Sequence, residues 1–182
     1  MQRVTRASGF MSLFVMVLLI LPVQPCFSEE KEFKAQVQQT IEQFKKTDPE
    51  MKKFFNSARG YAVFPTVGKG GIGIGAARGK GLVYEGGKLV GEVKLTQVTV
   101  GAQLGGQTYS EVVFLENKET MDSFKQSDFA LSAQATATAA AAGASANAKY
   151  KQGVAVFTMA KGGLMYEASV GGQKFHFIPP GK

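Results

Sequence analysis

Residues 60–98 decide the fold, and they read GYAVFPTVGKGGIGIGAARGKGLVYEGGKLVGEVKLTQV. Apolar side chains in this stretch alternate with glycine or polar residues, and a period of two is typical of β-strands. Pro65 and the repeated glycines divide it, and Gly86-Gly87 predicts a hairpin turn. Together with the apolar runs that follow, the expected strands are 61–64, 70–78, 82–84, 89–95, 98–104 and 109–115. Short strands joined by glycine turns indicate an antiparallel sheet, sandwich or barrel.

Upstream of this stretch, the apolar period is that of a helix. Within residues 30–46 the apolar positions recur at steps of four, four and three residues, at Phe33, Val37, Ile41 and Phe44. Such spacing places them on one helical face. Asp48-Pro49 is typical of a second helix start, because aspartate caps helices and proline suits the first helical position. The fold class predicted is therefore α+β, with an N-terminal helical pair, ending near Ala58, packed on a glycine-rich antiparallel sheet, sandwich or barrel.

The remaining chain predicts one more helix and further strands. Asn117 is a candidate cap for a brief helix that carries Met121 and Phe124. Residues 130–148 are rich in alanine, serine and threonine, and their alternation favours two small-residue strands that turn near Gly143. The last expected strands are 154–159, 164–170 and 174–178. Residues 29–182 are enough for one domain.

Residues 1–28 have the pattern of a secretory signal peptide. Arg3 and Arg6 precede an apolar stretch from Phe10 to Leu21, which is shorter than the roughly 20 residues that a membrane anchor needs. Small residues before Glu29 predict cleavage there, whereas a lipoprotein would instead carry its lipid on Cys26. We expect export to the periplasm or cell envelope, with the mature protein peripheral on a membrane.

The charge balance favours anionic partners. Residues 1–28 hold two of the 21 basic residues and none of the 14 acidic ones, which leaves a formal charge of +5 on the mature chain. A modest basic excess favours membrane surfaces or acidic polymers, although solubility alone also explains it. The sequence has no aromatic–basic RNA motif, so nucleic acid is not an expected partner.

Patterns that carry catalysis, metals or nucleotides are scarce. His176 is the single histidine, so a two-histidine zinc motif cannot form. Strand alternation alone accounts for its position, and a small hydrolase that uses it is the less favoured reading. Gly71-Ile-Gly-Ile-Gly75 leads into more strand-like sequence and not into a helix, which argues against a dinucleotide loop. We therefore expect no catalytic residue, no metal and no cofactor.

The most suggestive functional grouping lies on the helical pair. Cations beside exposed aromatic rings can bind a membrane interface, although the same rings could be core and the lysines merely solvated. The candidate lipid-binding residues are Lys45, Lys46, Lys52, Lys53, Phe54, Phe55 and Arg59.

Three ordered segments carry a family resemblance. These are ARGYAVFP at 58–65 with KGGIGIG at 69–75, GAQLGGQ at 101–107 with VVFL at 112–115, and KGGL at 161–164 with SVGG at 169–172. The set, spread over residues 58–177, resembles the SYLF family. That resemblance implies lipid or membrane association without catalysis, because the family includes proteins described as binding phosphoinositides and actin and exported bacterial proteins called lipid-binding. Actin is not expected for an exported bacterial-type chain, and anionic phospholipid in the envelope is the expected partner. A structural or protein-interaction module is the alternative.

Overall fold

A computed structural model describes residues 26–126, 128–133, 135–161 and 168–181 of the chain. The expected signal peptide therefore lies almost entirely outside the described residues. The elements are α1 (Cys26–Thr47), α2 (Met51–Ser57), β1 (Gly60–Glu85), β2 (Lys88–Leu115), α3 (Lys118–Lys125), β3 (Phe129–Ala130), β4 (Thr136–Ala139), a 3-10 helix (Ala144–Asn147), β5 (Val154–Ala160), β6 (Ala168–Ser169) and β7 (Lys174–Ile178). The α+β class is confirmed.

The helices form where the apolar period predicted them. On α1 the predicted face is buried at Val37, Ile41 and Phe44. Asp48 is fully buried between the helices, and its carboxylate accepts the backbone N–H groups of Glu50, Gly143 and Ser145. The α2 helix begins at Met51 with Glu50 as its N-cap, so the expected start at Pro49 with Asp48 as the cap is wrong. Asp48 instead fixes the alanine-rich segment against the helical pair.

Two strands are much longer than predicted. The expected breaks at Pro65 and at the glycines of residues 79–81 do not occur, so β1 and β2 are continuous strands joined at Gly86 and Gly87. Both glycines have positive φ, 54° and 76°, as a tight hairpin turn requires. The two strands pair antiparallel from Glu85↔Lys88 to Gly60↔Leu115, with three irregularities that absorb the bends.

β1 also folds back beside itself. A side chain at Gly71 would lie 2.1 Å from the carbonyl oxygen of Ile74, so only glycine fits where the chain doubles over. Near the two ends of β1, the rings of Tyr61 and Tyr84 stack with centroids 5.2 Å apart. The N–H of Gly86, the residue after β1, donates to the carbonyl oxygen of Arg59, the residue before β1, at 3.1 Å. The two ends of β1 therefore lie close together. The absence of side chains on the glycines thus permits close packing and curvature.

The seven-stranded sheet has the order β3-β7-β2-β5-β4-β6, with β1 paired to β2, and it curls into a half-barrel. The pairs are antiparallel apart from β4 and β5, which run parallel. Strand β4 confirms the first small-residue strand, but the second is wrong, because a 3-10 helix follows Gly143. The Asp48 carboxylate binds the N–H groups of this segment and so removes them from a strand ladder. The strand expected at 164–170 falls partly on residues outside the described ranges.

Core side chains lie on both faces of the sheet. The outer layer, between the sheet and the helical pair, contains Val37, Phe44, Phe54, Phe114 and Phe157. The concave layer holds the other faces of β1, β2, β5 and β7 together with α3. Asn117 caps α3 as predicted, since its side chain accepts the Thr120 N–H at 2.9 Å. Residues that are not in these layers are the ones available for function.

Candidate functional site

The aromatic part of the predicted lipid-binding site is mostly core. Phe54 is 9% exposed, and its ring packs on Phe114, Tyr150 and Phe157 with centroids 5.0–5.4 Å apart. Phe54 is therefore a core residue, and little of its ring is exposed for the predicted membrane contact. Phe55 is half-buried against Phe114 and Tyr61, which leaves only part of its ring accessible.

Of the five basic residues in the predicted helical-pair site, three form ion pairs with described residues and two do not. Lys45 pairs with Glu42 and lies 5.2 Å from the Phe55 ring centroid, and Lys53 pairs with Glu50. Arg59 donates twice to Glu85, whose carboxylate also binds Lys125. Lys46 and Lys52 are exposed, and within the described ranges neither has a carboxylate at ion-pair distance. This surface therefore offers fewer available charges than the sequence suggested.

A second basic surface lies on the outer face of the sheet, beyond the N-terminal end of α1. The pairing register places Arg78, Thr96 and Lys174 in one cross-strand row and Lys80, Lys94 and His176 in the next. All six residues are exposed. Partners in a row project from the same face with Cβ atoms roughly 5 Å apart. We call the six residues the basic sheet face.

The charges of the basic sheet face are only partly neutralised. Lys80 pairs with Glu92 at 3.0 Å and lies 4.9 Å from the Phe33 ring centroid. Arg78, Lys94 and Lys174 have no ion pair with any described residue. Lys80 and Lys94 are directly opposite each other, and like charges in that position are destabilising. An anion bound across the strands would relieve this repulsion.

Exposed apolar residues adjoin the basic sheet face. Ile74 and Val98 are 67% and 71% exposed, and Val98 lies opposite Ala76. Ile74, Ala76 and Arg78 follow each other at alternate positions of β1, so all three project from the same face. The surface therefore changes from apolar to cationic along the strands, which is the arrangement that an interfacial membrane contact uses. We call Ile74, Ala76 and Val98 the apolar end.

A buried carboxyl group lies on the opposite, concave side of the sheet. Glu111 is fully buried, and burial raises the pKa of its carboxyl to about 8. Its Oε2 accepts a 3.0 Å hydrogen bond from Gln173 Nε2, while Glu111 Oε1, Gln173 Oε1 and Thr158 Oγ1 have no partner among the described residues. Desolvation and the nearby Glu111 also raise the pKa of the buried Tyr109. All of these groups are buried.

The described residues show no group of three or more metal-ligating side chains. His176 is exposed and lies opposite Lys94 in the pairing of β7 with β2. Within the described part of the chain, no helix has both the length and the apolar character to span a bilayer. The exposed cations of the basic sheet face suit the binding of anions or of an anionic surface.

Sequence reasoning missed the basic sheet face for an identifiable reason. Its cations come from strands that are far apart along the chain, and only the strand register brings them into rows. Alternation within β1 was one available signal. Ile74, Arg78 and Lys80 are all separated by even numbers of residues, so in a strand they project from the same face. The position of β7 beside β2 had no comparable signal.

The described residues form an α+β fold with a cationic face on its sheet. Residues 96–177 match the model of the Ysc84 family, described as "Las17-binding protein actin regulator", which is the SYLF domain. The match agrees with the resemblance: residues 96–177 are similar to the SYLF family, which is a family of binding domains.

The chain is also similar to a curated protein from Aeromonas veronii, named Beta cell expansion factor A. The two are 27% identical over 130 residues, which is 70% of this chain and 49% of that relative. The chain thus spans about half the length of the relative it matches, so the relative's activity as a whole is not carried over.

Proposed function

We propose that this protein is a non-enzymatic domain that binds anionic phospholipid membranes of the bacterial cell envelope through the basic sheet face and the apolar end. The observation that carries the proposal is that Arg78, Lys94 and Lys174, which have no ion pair with any described residue, lie beside the exposed Ile74 and Val98. The similarity of residues 96–177 to a family of binding domains supports it. The expected signal peptide supports the envelope location.

The charges set the strength of binding. Each cation near an anionic surface contributes about 1 kcal/mol, and the contribution falls off within a Debye length. Arg78, Lys94 and Lys174 together supply about 3 kcal/mol, roughly a hundredfold in affinity. Such a surface gives reversible attachment that weakens as salt rises, while the contribution of the apolar end persists.

Liposome co-sedimentation of the mature protein tests the proposal with two charge-matched variants. The face variant carries Arg78→Gln, Lys94→Gln and Lys174→Gln. The helix variant carries Lys46→Gln, Lys52→Gln and Lys53→Gln. It removes the same number of positive charges, but from the predicted helical-pair site. Both are compared with the wild type on neutral and anionic vesicles at low and high salt.

We expect the wild type to bind anionic vesicles, the face variant to lose roughly a hundredfold in affinity, and the helix variant to lose much less. Equal losses in both variants would show that net charge, and not this face, governs binding. A loss confined to the helix variant would show that the membrane-binding site is on the helical pair and not on the basic sheet face. Absence of binding to every vesicle would refute the lipid proposal and favour a protein-interaction module, which the family description as Las17-binding supports.

A further inference from the structure

The described residues line a cleft of about 760 Å³. One wall is β3 and the residues after it, and the other is β4, the start of β5 and the segment before β5. In the strand order, β3 is at one edge of the sheet and β5 and β4 belong to the other arm. The cleft therefore lies between the two arms of the half-barrel.

The floor of the cleft is apolar and continuous with the concave core. Leu131, Val154 and Val156 line the cleft and are members of that core, each less than 10% exposed. Phe129 and Ala135 also line it and pack against the core. Strand β4 pairs with β5 only at Phe157 and Thr158, so it leaves the first residues of β5 uncovered as the floor. Such a surface favours an apolar occupant.

The rim of the cleft is cationic. Lys149 and Lys151 are exposed and line the cleft, and no carboxylate is among its described lining residues. Ser132, Thr136 and Gln152 add hydrogen-bonding groups to the wall. An apolar floor below two lysines is complementary to a molecule with an apolar body and a negative end.

We propose that this cleft binds a single-chain amphiphile with an anionic head group, with its acyl chain along Leu131, Val154 and Val156 and its head group at Lys149 and Lys151. Its volume is in the range of roughly 300–1,000 Å³ that is usual for ligand pockets. The inference rests on the proposed lipid-binding function and names the class of lipid that the domain would take from a membrane.

Native mass spectrometry and titration calorimetry of the full mature chain test it, with ligands kept below their micelle-forming concentrations. The probes are palmitate and palmitoyl lysophosphatidylglycerol, which separate a carboxylate from a phosphate head group, and uncharged monopalmitoylglycerol. Thr136→Trp and, independently, Ser132→Trp place a large ring in the cleft from positions that are exposed. Lys149→Gln with Lys151→Gln removes the cationic rim, and Lys88→Gln with Lys118→Gln removes two exposed lysines elsewhere as the matched control.

We expect binding of one molecule of at least one anionic amphiphile, and at least about a tenfold loss in each tryptophan variant. The rim variant should lose about tenfold for anionic probes and keep its affinity for monopalmitoylglycerol, and the control should match the wild type. Wild-type binding that both tryptophan variants retain, or no binding of any probe, would overturn the inference. The face variant should still bind these amphiphiles and Thr136→Trp should still bind vesicles, so failure here is distinguishable from failure of membrane docking.

Discussion

Replacing Glu111 by glutamine should stabilise the protein in a pH-dependent way. In the folded chain Glu111 is fully buried, and its pKa is raised from 4.5 to about 8 because the charged form would lose its hydration. In the unfolded chain the carboxyl ionises at its ordinary pKa. Between these two values the folded state holds a proton that the unfolded state releases, so the free energy of unfolding falls as pH rises.

The size of the effect follows from the two pKa values. The full rise corresponds to about 5 kcal/mol, of which about 3 kcal/mol is lost by pH 7. Glutamine stays neutral and can still accept the hydrogen bond from Gln173 Nε2. Glu111→Gln should therefore equal the wild type near pH 4.5, exceed it by up to about 3 kcal/mol at pH 7, and gain little more above pH 8.

Urea unfolding followed by circular dichroism at about pH 5, 7 and 8.5 measures this difference. Glu116→Gln is the control, because Glu116 is an exposed glutamate just beyond the end of β2. Its stability relative to the wild type should change little across the same range. A difference between wild type and Glu111→Gln that stays constant with pH would refute the argument that Glu111 is buried and protonated.

Three further predictions follow from the surfaces and the core. Ile74→Ser with Val98→Ser should leave vesicle binding at low salt nearly intact but reduce the binding that persists at high salt. Co-sedimentation measures both, and unchanged binding at high salt would show that the apolar end does not contact the membrane. Phe54→Ala should destabilise the fold by about 3–5 kcal/mol in urea unfolding, whereas a cost below about 1 kcal/mol would mean that the ring is not core. The intact mass of envelope-recovered protein should correspond to a chain starting at Glu29, and retention of residues 1–28 or acyl chains on Cys26 would contradict the proposed export.

The helices and the strand-rich region were predictable because their signals are local. The spacing of Val37, Ile41 and Phe44 fixes the buried face of α1, and the alternation after Gly60 gives the strand period. Strand ends were harder to predict, since proline and glycine usually end strands. Here Pro65 is followed by an irregularity in the pairing of β1 with β2, so the strand continues past it.

The candidate site was less predictable because it depends on contacts between distant residues. From sequence, Phe54 beside Lys52 and Lys53 fits either a membrane contact or a core position. Only the packing of its ring on Phe114 and Phe157 decides for the core. In the same way, Lys94 and Lys174 lie on one surface only because β7 pairs with β2.

The turn at Gly86 and Gly87 also constrains how the chain folds. It is the one place where β1 and β2 are adjacent in sequence, and every pair away from it closes a larger loop, up to Gly60↔Leu115. Loop closure becomes entropically more costly with length, so pairing should start at this turn and spread outward. Substitution of Gly87 by alanine, at a positive φ of 76°, should then slow folding, whereas Leu115→Ala at the far end should mainly speed unfolding. Stopped-flow refolding of the two variants would show the opposite pattern if pairing began at the open ends.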